Sequence, residues 1–161
     1  PAFAKDGTIT AANASSISDG ASALILASQE AADQQGIKPL ARMLGHTTHS
    51  RHPSEFTIAP VGAIEKLMKK LDWGVNDVDL FEINEAFAVV TLMAMDDLGL
   101  PHDKVNVFGG ACAQGHPIGS TGSRIIATLI HALRTKGGKR GIASLCIGGG
   151  EATAVAVELI D

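Results

Sequence analysis

Val61, Ile64, Leu67, Met68 and Leu71 recur at spacings of three and four, with Lys66, Lys69 and Lys70 on the opposite side. Such a stripe predicts an amphipathic helix that lays one face on a core. Pro60 stands in its first turn, where a missing N–H costs nothing. A second helical pattern fills residues 86–98 and stops at Gly99, with Pro101 just beyond. A third, over 123–133, carries Ile125, Ile126, Leu129, Ile130 and Leu133 and is apolar nearly all round. A short fourth, over 30–35, closes at Gly36, a favoured residue just past a helix end. Between these lie runs of strand character at 8–10, 40–46, 78–83, 105–108, 142–147 and 152–160. Residues 21–28 (ASALILAS) are near-continuously apolar, which fits a strand covered on both faces or a buried helix segment. The last two strands are joined through glycines and are predicted to be antiparallel neighbours. Strands alternating with helices predict an α/β layer, a mixed sheet with helices on its faces.

Composition narrows the picture without redirecting it. A chain of 161 residues suffices for one domain with a real core. Aromatics are 4% with no tyrosine, so that core must be built from Leu, Ile, Val and Ala. Net charge is −4 with no clustered Lys/Arg stripe, which points away from nucleic acid or an anionic membrane as partner. No apolar run reaches the length of a membrane span, and no signal-peptide pattern opens the chain. The two cysteines do not make a disulfide framework and favour a reducing, cytoplasmic setting. Phosphate-loop and dinucleotide fingerprints are missing, and the histidines and cysteines lack metal-ligand spacing. The first residues, Pro1-Ala2-Phe3, fit either a processed chain or a piece of a longer one.

Candidate chemistry concentrates in a few glycine-rich places. His116 is set between Gly115 and Pro117, with Gly119 following, directly before the third helical pattern. Most histidines in tight turns are structural, but a rigid platform is what a general base needs, and the functional reading leads here. The other five histidines lack such a setting. Cys146 ends an apolar strand and precedes Gly148-Gly149-Gly150. A buried structural thiol and a functional one are evenly matched until those unencumbered amides are considered, since they could face a developing oxyanion. Cys112, flanked by alanines, reads as core packing. Asn84 stands where a strand gives way to a helix, as an N-cap or as a site group. Glu82 and Glu85 read as a salt-bridge partner and a helix-dipole acid rather than as a catalytic pair.

Three of these stretches, Asn84-Glu85-Ala86-Phe87, the glycine-rich 109–122 around Gly115-His116-Pro117, and Cys146-Ile147-Gly148-Gly149-Gly150, resemble in order and spacing the C-terminal signatures of thiolases. Asn13-Ala14-Ser15 with Asp19-Gly20 resembles the segment that precedes the family's C-terminal half. The resemblance implies a thiolase-like C-terminal domain, a five-stranded mixed sheet with helices on both faces. Residues 1–30 would be the end of the N-terminal half and 31–161 the C-terminal domain. It implies acyl transfer between acyl-CoA and acetyl-CoA: Claisen condensation to a 3-ketoacyl-CoA, or thiolytic cleavage by CoA. The coenzyme A thioester is then a substrate, with no permanently bound cofactor. On this resemblance His116 activates a nucleophilic cysteine, and Cys146 moves the proton on the acetyl α-carbon. Asn84 holds a water that stabilises the thioester oxygen with His116. Gly148 lends its amide to a second oxyanion hole, and Ser15 lies near the pantetheine. The helix over 123–133 would pack against a sister domain, and the full-length protein would be a homo-oligomer.

Departures from the family pattern are Ser16 for a usual glycine, Gln114 for a usual aliphatic, and Cys112 for another aliphatic. The family's acyl-accepting cysteine has no counterpart among these residues, so this chain alone is expected to be inactive. Alternatives are a non-catalytic acyl-CoA- or lipid-binding domain or partner subunit, and a ketoacyl-synthase-like condensing enzyme. The latter is disfavoured because such enzymes use a histidine pair in place of a cysteine like Cys146.

Overall fold

The lysine-backed stripe does fold as a helix, and its apolar face sets one side of the core. In the computed structural model, which describes residues 1–160, the helices are α1 (Gln29–Gln34), α2 (Ala59–Leu71), α3 (Ala88–Leu98), α4 (Ala111–Gln114) and α5 (Ile118–Lys136). The strands are β1 (Ala41–Ser50), β2 (Leu80–Ile83), β3 (Arg140–Cys146) and β4 (Glu151–Leu159). They form one sheet in the order β1-β4-β3-β2. β1 and β3 pair antiparallel with β4, while β2 runs parallel to β3, so the sheet is mixed as expected.

Side-chain alternation along the strands feeds two cores. Phe81, Ile83, Ile142, Ala154 and Ala156 join Ile64, Leu67, Val90 and Ala94 of α2 and α3 on one face. Leu80, Ala143 and Val157 point the other way and pack on Ile125, Leu129 and Leu133 of α5. Period two in the strands and three-to-four in the helices thus place helices on both faces of the sheet.

The sheet has four strands where five were expected, and the reason lies in one residue. Residues 105–108 approach β2 but make a single bridge, Phe81↔Val105. Asn106 then turns into the left-handed region at φ +47°. Its side chain takes over the pairing: Oδ1 accepts from the Ile83 N–H at 2.8 Å and Nδ2 donates to the Ile83 carbonyl at 2.8 Å. A carboxamide has one donor side and one acceptor, so it satisfies a strand edge as another backbone would.

Other expectations shift as well. Residues 8–10 and 21–28 form no strand; the latter run across the surface, with Ile25 95% exposed. β1 extends through the polar residues to Ser50, because β4 offers partners along that whole length. The helix expected over 123–133 is longer and amphipathic rather than apolar all round, with His131 and Arg134 exposed. Uncovered apolar side chains gather instead in the N-terminal segment, at Phe3, Ile17, Ile25 and Leu26, and at Ile118.

Candidate active site

Asn84 follows the last residue of β2, and its N–H continues the parallel ladder by donating to the Ser144 carbonyl at 2.9 Å. It is 2% exposed. The N-cap alternative fails: α3 begins four residues later, with Phe87 in the cap position. Its Nδ2 donates instead to His116 Nε2 at 3.5 Å, and its Oδ1 is buried without a partner.

His116 sits between α4 and α5 and is fixed at three points. Its N–H donates to the Ser16 carbonyl at 3.0 Å, where residues 15–18 run alongside. Gly115, at φ +89°, makes that close approach practicable, since any side chain there would overlap Ser18. On the ring, Nδ1 lies 2.7 Å from Thr121 Oγ1, and that hydroxyl donates its own hydrogen to the Pro117 carbonyl at 3.0 Å. Thr121 Oγ1 therefore accepts from Nδ1–H, which leaves the lone pair on Nε2, the atom facing Asn84. Burial first, and the Arg124 guanidinium second, push the His116 pKa below its ordinary value. Burial thus favours the neutral ring, with Nε2 as its basic nitrogen and the Asn84 amide as that atom's hydrogen-bond donor.

Cys146 ends β3, the strand paired parallel with β2, so it and Asn84 occupy the carboxyl ends of neighbouring strands. That is where α/β sheets open a crevice for ligands. Cys146 is buried, and burial pushes its thiol up, with its own backbone amide pulling weakly the other way. Beyond it the chain reverses: Gly150 N–H donates to the Ile147 carbonyl at 3.1 Å and Ile147 N–H to the Glu151 carbonyl at 2.7 Å. Gly148 lies at the exposed tip, and a Cβ there would meet open space. Ser15 is half-buried nearby; its hydroxyl donates to the Ala86 carbonyl at 2.9 Å, binding residues 13–15 to the Asn84 corner.

The sequence reading misses Thr121 and gives Glu85 and Glu82 roles that the structure does not bear out. Thr121 fixes the tautomer of His116; the available signal was a hydroxyl one helical turn beyond a His-Pro pair. Glu85 does not serve the α3 dipole. Its carboxylate accepts from Cys112 N–H at 3.0 Å and from Asn106 Nδ2 at 2.9 Å, welding the Asn84 corner to the glycine loop. Glu82, read as a salt-bridge partner, forms no hydrogen-bonded ion pair among the described residues, and its Oε1 is unpartnered. Cys112 is no activated nucleophile: burial and the adjacent Glu85 carboxylate both push its thiol up.

The model of the thiolase C-terminal domain matches residues 37–159, and that of the thiolase N-terminal domain matches residues 1–30. The chain belongs to the thiolase family. It is 52% identical over 158 residues to an acetyl-CoA acetyltransferase of Chromobacterium violaceum, covering 98% of this chain and 40% of that one. A probable acetyl-CoA acetyltransferase of Dictyostelium discoideum is 51% identical, with 98% and 38% covered. Among solved structures, human mitochondrial 3-ketoacyl-CoA thiolase in complex with CoA superposes with a TM-score of 0.97 at 47% identity, covering 100% of this chain and 41% of that one. Acetyl-CoA acetyltransferase of Bacillus anthracis gives 0.96 at 48%, with 99% and 41% covered. This thiolase chain thus spans about 40% of the length of the curated relatives it matches. No described helix is long and apolar enough to cross a membrane.

Proposed function

We propose that these residues supply the acid–base half of a thiolase site, acting on acyl-CoA and acetyl-CoA, with coenzyme A thioesters as substrates and no resident cofactor. The observation that carries the reading is the pinned imidazole: Nδ1–H is held by Thr121 while the Nε2 lone pair is turned toward the Asn84 amide at 3.5 Å. A neutral imidazole at that position takes the proton from the acyl-accepting cysteine, and covalent acyl transfer splits one hard step into two. In the condensing direction, the Cys146 thiol protonates the CoA thiolate that leaves as the nucleophilic cysteine is acylated, and the Cys146 thiolate so formed takes a proton from the α-carbon of acetyl-CoA. The resulting enolate attacks the acyl-enzyme carbonyl and forms the new C–C bond, and the cysteine leaves and regains its proton from His116. The raised thiol of Cys146 suits a group that must hold and return a proton.

The unpartnered Oδ1 of Asn84 is an acceptor available to a water, which would join His116 at the enolate oxygen. The Gly148 amide, on an open loop, supports a second oxyanion hole, and fixed donors of this kind stabilise developing charge strongly. Ser15, beside the same corner, is assigned to the pantetheine. Residues 1–30 are assigned to the end of an N-terminal half and 31–161 to the C-terminal domain. Two free thiols support a reducing, cytoplasmic setting, and a homo-oligomer is expected for the full-length protein.

The test is thiolysis of acetoacetyl-CoA by CoA. The 161 residues alone are expected to give no turnover. Joined to a thiolase N-terminal half that carries a reactive cysteine, they are expected to turn over, and His116→Ala or Asn84→Ala to lower kcat by roughly a hundred-fold or more. Robust activity of the isolated chain, or parental activity in His116→Ala, overturns the reading. Acyl-CoA binding without turnover in the joined protein would favour the non-catalytic alternative.

A further inference from the structure

The first turn of α5 is poorly secured from within. Pro117 occupies its cap position with no side-chain cap bond, and Gly119 follows in that turn. An uncapped turn containing glycine frays readily. Yet it carries Thr121, whose Oγ1 lies 2.7 Å from His116 Nδ1. Locally it is gathered on the Pro117 carbonyl, which accepts from Ser120 N–H at 2.8 Å, Thr121 N–H at 2.9 Å and the Thr121 hydroxyl at 3.0 Å. Three donors share the two lone pairs of one oxygen, so this hold is weak.

A second hold comes from a segment far back in the chain. Residues 16–22 lie along the turn, and the Ser16 carbonyl takes the His116 N–H at 3.0 Å. Gly20 packs on Pro117 so closely that a Cβ there would stand 2.7 Å from its ring. Ser22, 98 residues before Ser120, then reaches α5 itself. Its Oγ lies 2.9 Å from the Ser120 carbonyl, 2.6 Å from Ser120 Oγ and 2.5 Å from Ser123 Oγ. A hydroxyl donates once and accepts twice, so donation to the carbonyl and acceptance from both serines uses all three contacts. Ser120 is buried, and solvent does not simply replace a partner lost there.

We propose that Ser22 is a positioning residue for His116: its hydroxyl clamps the first turn of α5 and so holds Thr121 against Nδ1. The basic nitrogen then depends in part on chain outside residues 37–159, the stretch that matches the thiolase C-terminal domain. Without the clamp the turn loosens and Thr121 Oγ1 leaves Nδ1 part of the time. The imidazole hydrogen is then no longer confined to Nδ1, and Nε2 loses its lone pair in the molecules where the hydrogen has moved. Ser22 contacts α5, so the loss falls on kcat and leaves KM at the parent value.

The inference rests on the thiolase reading for its kinetic readout alone. In the joined enzyme, Ser22→Ala and Ser22→Thr are compared with the parent. Two readouts are followed: kcat and KM for thiolysis of acetoacetyl-CoA, and nitrogen-15 NMR of labelled histidine at a pH where the ring is neutral. His116 is assigned by the loss of its signals in His116→Ala. The parent is expected to show the Nδ1–H tautomer. Ser22→Ala is expected to lower kcat by roughly 3- to 30-fold with KM unchanged, the effect of one or two lost hydrogen bonds. It is also expected to draw the two ring-nitrogen signals toward each other, the mark of mixed tautomers. Ser22→Thr keeps the hydroxyl at an exposed position and is expected to restore both readouts. Ring signals unmoved in Ser22→Ala overturn the inference even where kcat falls, because the loss is then one of packing. Failure of Ser22→Thr to restore either readout overturns it equally. If Ser22→Ala does not fold, Ser22→Cys decides, since it keeps the shape with a poorer donor and acceptor, and unmoved signals there are fatal. A joined protein whose His116 nitrogens move as described but which does not turn over fails the thiolase reading and leaves this inference standing.

Discussion

Replacing Thr121 by Val removes one hydroxyl and almost nothing else. The side chain is buried, and Val keeps its shape, so no cavity opens. What goes is the 2.7 Å acceptor for His116 Nδ1 and the 3.0 Å bond to the Pro117 carbonyl. An N–H left without a partner at a partly buried position costs about 1–3 kcal/mol. The ring escapes part of that cost by moving its hydrogen to Nε2 or by rotating, and both remove the lone pair from the atom beside Asn84. If the whole cost falls on the reaction barrier, kcat drops by roughly 5- to 150-fold. The assay is thiolysis of acetoacetyl-CoA by the joined enzyme, with kcat and KM separated and the folded fraction checked by circular dichroism. The expected result is a fall in kcat with KM near the parent value, and recovery in Thr121→Ser, which restores the hydroxyl. A parental kcat in Thr121→Val refutes the claim that this hydroxyl sets the tautomer. A failure of Thr121→Ser to recover would place the effect in packing instead.

Two further outcomes follow from the fold. Asn106→Ala removes the partner of both Ile83 backbone groups and one donor to Glu85, and is expected to lower unfolding free energy by roughly 2–4 kcal/mol in urea titrations. A loss under about 1 kcal/mol would show that residues 105–108 re-pair with β2 as a true strand. The 161 residues alone are expected to self-associate through the uncovered side chains of Ile17 and Ile25, 96% and 95% exposed. A monodisperse monomer in light scattering would contradict this.

Local periodicity determined most of the architecture. The stripe from Val61 to Leu71, the helix before Gly99 and the final antiparallel strands are legible because each is encoded within a dozen neighbouring residues. The order of Asn84, His116 and Cys146, each beside glycine or at a strand end, was legible for the same reason, and so was the family. What only the tertiary structure decided depends on partners far apart in sequence. The fifth strand is lost because the Asn106 side chain, 23 residues away, satisfies Ile83. Glu85 serves the glycine loop because Cys112, 27 residues on, brings its amide there. Residues 21–28 read locally as a strand or a buried helix segment, yet the folded chain leaves them extended and exposed on its surface. Which imidazole nitrogen is basic is likewise settled by a threonine hydroxyl and a proline carbonyl, a choice that no spacing of residues expresses. Composition and periodicity state which groups prefer burial, whereas hydrogen-bond direction depends on which groups the folded chain brings within about 3 Å of one another.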